Sequence, residues 1–181
     1  MRNILALGIM LTGCVFVDAA EPLIVAHRGA SKDAPENTLP AFELAWKRGA
    51  DAIEGDFRLT EDGVIVCVHD GDTKRVATIN KVVKDSSFDE LRKLDVGSWL
   101  DARWRATKIP TIAEVFQTVP SDKKIYVEIK CGTEIVSALL DEIAKSGLRQ
   151  DQVVIICFDA DVIQAMKTKA PQFKAFWLAR F

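Results

Sequence analysis

The sequence predicts an α/β protein in which a mostly parallel sheet is covered by helices. Three observations predict it. Short apolar runs recur at 23–26, 52–57, 125–130, 153–157 and 176–178, with helix-like segments between them. The stretch from the first run to the second reads as a complete β-α-β unit, which implies a parallel pair with a right-handed crossover. At 181 residues and 49% hydrophobic, the chain can bury a sizeable core and reads as one domain.

The amino terminus reads as a targeting segment. A short basic start, Met1-Arg2-Asn3, precedes the apolar run Ile4 to Leu11. Leu11-Thr12-Gly13-Cys14 resembles a bacterial lipoprotein signal, which would make Cys14 the lipidated first residue and anchor the protein to a membrane. Val17-Asp18-Ala19-Ala20 offers small residues for ordinary cleavage instead. Either route implies export, as a periplasmic, extracellular or membrane-anchored protein. Residues 1–20 are therefore left out of the fold, and 21–181 form the domain. No apolar run is long enough to span a bilayer in the mature protein. A formal net charge of −2 gives no support for nucleic-acid binding. Outside the targeting segment, Cys67, Cys131 and Cys157 are odd in number and scattered, so they suggest neither a disulfide framework nor a zinc site. The sequence leaves the oligomeric state open.

Leu23-Ile24-Val25-Ala26 has strand character and ends in His27-Arg28-Gly29, placing an imidazole and a guanidinium where strand becomes loop. A surface loop would explain that pair equally well. In Pro35-Glu36-Asn37-Thr38, either Asn37 or Thr38 can cap a helix with Pro40 in its first turn. Leu39, Phe42, Ala45 and Trp46 give that helix its buried stripe, and Gly49 stops it.

Ala52 to Phe57 follows as a strand. Side chains alternate faces along a strand, so Glu54 and Asp56 project from the same side. Two carboxylates one pleat apart repel each other and resist burial unless a positive group sits between them, and a hard divalent cation is the simplest one. The plainer alternative is a solvated acidic pair at a strand end. Asp62-Gly63 marks a hairpin turn, so Val64 to Val68 runs back antiparallel. Centring the turn on Glu61-Asp62 puts His69 opposite Glu54; centring it on Asp62-Gly63 puts it opposite Asp56. Both registers bring a histidine to the acidic pair.

Residues 71–110 break the alternation and read as an insertion. It holds one short helix, Phe88 to Leu94, opened by the capping box Ser87-x-x-Glu90. Trp99 and Trp104 either pack the insertion down, as buried aromatics usually do, or line a substrate rim. Thr111-x-x-Glu114 opens the next helix. In the strand Ile125 to Lys130, Glu128 and Lys130 share a face; an exposed ion pair is the plain alternative. A helix from about Glu134 to Lys145 stops at Gly147. The strand Val153 to Cys157, a helix capped by Asp159, and a last strand at Phe176-Trp177-Leu178 complete the pattern. His27, Glu54 with Asp56, and Glu128 with Lys130 all come late in their strands. In parallel barrels the chemistry collects at that end.

His27-Arg28-Gly29, Pro35-Glu36-Asn37-Thr38, Gly49 through Asp56, Leu59-Thr60-x-Asp62-Gly63, His69-Asp70 and Glu128-Ile129-Lys130 together resemble the glycerophosphodiester phosphodiesterase family, over residues 23 to about 178. The resemblance implies a TIM (β/α)8 barrel with 71–110 as its insertion. It implies a single divalent cation, Ca²⁺ or Mg²⁺, on Glu54, Asp56 and Glu128, a set of oxygens that suits a hard ion and not zinc. It implies His27 and His69 as general acid and base, Arg28 and Lys130 as groups that hold a small phosphodiester substrate, and Asn37 or Glu36 as support for that substrate site. The implied reaction releases sn-glycerol 3-phosphate and an alcohol. Hydrolysis of intact lipids, or non-catalytic binding of phosphorylated ligands, would use the same groups. Because a whole barrel takes about 250 residues, the resemblance also implies a barrel incomplete at its C-terminus, with open sheet edges.

Overall fold

The computed structural model describes residues 22–180; the targeting segment with Cys14, Ala19 and Ala20 lies outside the described residues. The elements run β1 (Val25–His27), α1 (Leu39–Lys47), β2 (Ala52–Leu59), β3 (Ile65–Cys67), α2 (Phe88–Arg92), α3 (Ile112–Gln117), β4 (Lys124–Ile129), α4 (Val136–Ser146), β5 (Val153–Cys157), α5 (Ala160–Lys169) and β6 (Lys174–Trp177). β1, β2, β4, β5 and β6 are parallel and lie side by side in chain order, and β3 pairs antiparallel with β2. Each parallel strand is followed in space by the next one in sequence, the winding of an α/β barrel wall.

One face of that wall is the main core. Ile53, Phe57, Ile125, Val127, Ile129, Val153, Ile155 and Cys157 alternate with residues of the other face and pack beneath the helices with Phe42, Phe116, Leu139 and Val162. Burying such side chains stabilises the fold by about 1.5–3 kcal/mol each. Gly55 lies on this face for a steric reason: a Cβ there would stand 3.2 Å from the Phe42 ring and 3.3 Å from the Cys67 sulfur. Trp46 and Leu39 are only partly buried, so α1 anchors through Ala41, Phe42 and Ala45. Gly49 takes φ +82° directly after α1, a conformation glycine adopts without strain.

Two expectations about local structure are corrected. The helix expected from Glu134 begins as a 3₁₀ turn, Thr133–Ile135, and becomes α-helical only at Val136. The Glu134 carboxylate folds back to accept the Gly132 N–H at 3.0 Å, which tightens that turn. The hairpin follows neither expected register. Leu59 pairs with Ile65 and Phe57 with Cys67, so the pairing is centred on Asp62 and, continued, would put His69 opposite Gly55. The reason is a three-residue loop closed by Thr60 N–H to Val64 O, with Gly63 at φ +79°; this loop adds one residue to a two-residue turn.

The 71–110 segment carries a small core of its own. Val76, Val83, Leu91, Leu94, Val96 and Ile109 gather on Val66 and Val68 of the hairpin. The Ser87–Glu90 and Thr111–Glu114 capping boxes both form. Neither tryptophan joins either core cluster: Trp99 is exposed and bonds its own turn through Nε1 to Val96 O, and Trp104 stacks under Arg103. The outermost strands leave apolar side chains in solvent, Leu23 and Ile24 beside β1, and Phe176 and Trp177 on β6.

Candidate active site

Strand register assembles the acidic groups. His27 of β1 is level with Glu54 of β2, and Asp56 of β2 is level with Glu128 of β4. Pleating sends Glu54, Asp56 and Glu128 to the face opposite the helices, at the strands' C-terminal ends. There one carboxylate oxygen from each lies within 4.8 Å of the others, and all three residues are buried. Three close, buried carboxylates are unstable as anions without a neutralising partner. The cost appears at Glu54, whose carboxyl is pushed from 4.5 to about 8, first by burial and then by the charge of Asp56.

The donor set fits a hard cation. Glu54 Oε1 and Asp56 Oδ1 are buried and have no hydrogen-bond partner, while their sister oxygens are held in place. Glu54 Oε2 accepts the backbone N–H of Arg28 at 2.9 Å. Asp56 Oδ2 accepts from Asn37 Nδ2 at 2.8 Å, and the Asp56 N–H returns a bond to Asn37 Oδ1 at 3.1 Å. Each carboxylate is thus oriented by one oxygen and leaves the other free, an arrangement suited to metal ligation. Arg28 and Asn37 both adopt positive φ, 59° and 58°. That is uncommon for residues with side chains and marks loops held in shape by their contacts. Gly29 beside Arg28 has no substitute: at φ +76° a Cβ would press to 2.7 Å from the Ala41 backbone.

Two cations meet the cluster. Lys130 Nζ lies 2.8 Å from Glu128 Oε1 and 3.7 Å from Asp56 Oδ1. Arg28 Nε lies 3.2 Å from Asp56 Oδ2, close enough to attract but out of line for a hydrogen bond. His27 borders the cluster with Nε2 at 3.9 Å from Glu54 Oε2, and its side chain is 68% exposed, free to face a ligand. His69 follows β3, with Nδ1 2.7 Å from Asp70 Oδ1 and its carbonyl accepting from Arg58 Nε at 3.0 Å. Phe57 pairs with β3 on one edge and β4 on the other, while β1 lies across β2 from β4. The strand that ends in His27 and the strand that His69 follows therefore lie on the same edge of β2.

Two contributors, Arg75 and Arg58, were not foreseen as site residues, whereas Glu36 was expected as an alternative to Asn37 in supporting the site. Glu36 ties to Arg28 Nη1 at 3.0 Å, Arg75 grips Glu36 and Asp70, and Arg58 holds the His69 main chain. Glu36 and Asp70 stand inside recognisable motifs. Arg75 is 39 residues from Glu36 in a stretch without periodicity, so no spacing signals it. Cys131 is half-buried, and burial pushes its thiol up to about 11, which leaves it a thiol at neutral pH. Cys67 and Cys157 are buried and also free.

Fold and site define a class: an α/β-barrel protein whose strand ends gather three carboxylates able to hold a metal beside basic groups. Residues 27–179 match the profile of the glycerophosphoryl diester phosphodiesterase family, and the chain belongs to that family. A glycerophosphodiester phosphodiesterase of Caldanaerobacter subterraneus subsp. tengcongensis is 35% identical over 156 residues, which are 84% of this chain and 64% of that protein. A probable glycerophosphodiester phosphodiesterase 1 of Mycobacterium tuberculosis is 34% identical over 172 residues, 84% of this chain and 62% of its own length. Among solved structures, an Oleispira antarctica phosphodiesterase in complex with the product sn-glycerol-3-phosphate superposes with a TM-score of 0.80 at 28% identity, over 85% of this chain and 64% of that one. The glycerophosphodiester phosphodiesterase of Agrobacterium tumefaciens gives 0.79 at 29% identity, over 86% and 66%. The chain thus spans about two thirds of the length of these relatives.

Proposed function

We propose that the protein hydrolyses glycerophosphodiesters to sn-glycerol 3-phosphate and an alcohol, using one divalent cation, Ca²⁺ or Mg²⁺, held by Glu54, Asp56 and Glu128. The observation that carries this reading is the buried carboxylate cluster with two orphaned oxygens, flanked by Arg28 and Lys130. The product bound to the Oleispira relative supports the substrate class.

A cation held by Glu54, Asp56 and Glu128 would supply positive charge to the anionic phosphoryl group. The residues supply the rest. Arg28 and Lys130 bind the anionic diester and neutralise charge that builds on its oxygens in the transition state. Asn37 keeps Asp56 in one orientation. Of His27 and His69, one accepts the proton of the attacking nucleophile, and the other donates a proton to the leaving alcohol oxygen as its bond to phosphorus breaks. They are the only two histidines in the chain, so neither has a substitute. The amino-terminal segment supports export, with the substrate met outside the cytoplasm or at the membrane through Cys14.

The purified protein is assayed with glycerophosphocholine, after EDTA and after adding back Ca²⁺ or Mg²⁺. Release of glycerol 3-phosphate that EDTA abolishes and either ion restores is the expected result. Ligand binding with no turnover under any of these conditions overturns the hydrolytic reading.

A further inference from the structure

Arg75 lies in the insertion, outside the carboxylate cluster, yet it makes three short charge-assisted bonds. Nη1 and Nη2 grip the two oxygens of Glu36, each at 2.8 Å, and Nε reaches Asp70 Oδ2 at 2.7 Å. Each of these carboxylates holds a further site group. Glu36 Oε1 also accepts Arg28 Nη1, and Arg28 stands against Asp56. Asp70 Oδ1 faces His69 Nδ1. One guanidinium therefore joins the arm that carries Arg28 to the arm that carries His69. Its planar fork suits the task, because it can bind one carboxylate through two nitrogens and a second through the third.

The charge state of the two carboxylates follows. Burial works against both, but Arg75 with Arg28 at Glu36, and His69 with Arg75 at Asp70, outweigh it and hold both carboxyls below their ordinary values. An ionised Asp70 only accepts hydrogen bonds, so His69 Nδ1 is the nitrogen that carries a proton toward it, and in that tautomer Nε2 is the acceptor. Arg58 is bonded to the His69 carbonyl and not to its ring.

We propose that Arg75 is a positioning residue: it locks the His69 tautomer through Asp70 and, through Glu36, the placement of Arg28. The kinetic part of this inference rests on the proposed hydrolysis; the tautomer part does not.

The test is long-range ¹H–¹⁵N spectroscopy of the two imidazoles at alkaline pH, with His27→Gln assigning the His69 signals. Kinetics with glycerophosphocholine run alongside. In the parent, His69 shows a protonated Nδ1 and a bare Nε2, with widely separated ¹⁵N shifts. In Arg75→Ala those shifts collapse toward a common value, and kcat falls about 10- to 100-fold. Arg75→Lys keeps the charge but loses the fork, and gives an intermediate signature; it also serves if the alanine variant fails to fold. Asp70→Asn disturbs the ring while leaving Glu36 paired. A folded Arg75 variant with the parent's His69 signature overturns the proposal, whatever its kcat. A changed signature in a protein whose parent shows no turnover upholds the positioning role and removes the hydrolytic reading instead.

Discussion

Replacing Glu54 with Gln tests the acidic cluster through stability alone. In the folded, metal-free chain, burial and then Asp56 raise Glu54 from 4.5 to about 8. An unfolded chain gives up the same proton near its ordinary value. The folded pKa is the higher one, so this contribution is fully present below about pH 4.5 and is lost as pH rises through about 8. At about 1.4 kcal/mol per pH unit, the interval gives a ceiling of roughly 5 kcal/mol. Glu36 and Asp70 have the opposite sign, because their values are lowered, but they act only below their ordinary 4.5 and 3.8. The assay is urea unfolding between about pH 5 and pH 8 in EDTA, comparing parent with Glu54→Gln so that every shared group cancels. Relative to the variant, the parent loses stability steadily with rising pH. Adding Ca²⁺ or Mg²⁺ restores it, most strongly near pH 8 where proton and cation no longer compete, and does little for the variant. A parent whose stability relative to Glu54→Gln is level, or rises, over this range shows that the three carboxylates do not crowd one another as described.

His27→Ala and His69→Ala each lower kcat by at least ~10²-fold with unfolding midpoints unchanged; near-normal turnover in either variant, measured with glycerophosphocholine, removes that imidazole from the proton transfers. Asn37→Ala strips Asp56 of its two bonds to the Asn37 amide and costs about 1–3 kcal/mol in urea unfolding. It also weakens cation affinity measured by calorimetry, because the freed carboxylate is no longer held in its ligating orientation. Unchanged affinity in that variant means Asn37 does not position the ligand set.

Much of the site was legible because its signals are local. The alternation of β2 places Glu54 and Asp56 on one face before any tertiary contact is known, and Ser87-x-x-Glu90 and Thr111-x-x-Glu114 cap their helices through bonds three residues apart. The hairpin shows where local reading stops. A turn marked by Asp62-Gly63 is plain in sequence, but whether its loop holds two residues or three depends on Thr60 and Val64 closing around it. That single residue moves His69 off both expected registers, since side chains in a strand repeat every two residues.

The amino-acid sequence by itself determined the order of strands and helices, the face on which each carboxylate stands, and the presence of both imidazoles, because period and capping act between near neighbours. Tertiary structure alone decided that Asp56 is level with Glu128, that the strands leading to His27 and His69 share one edge of β2, and that Arg75 spans Glu36 and Asp70. Those facts depend on strand register and on ion pairs between distant segments, and such pairs leave no periodic trace in the chain.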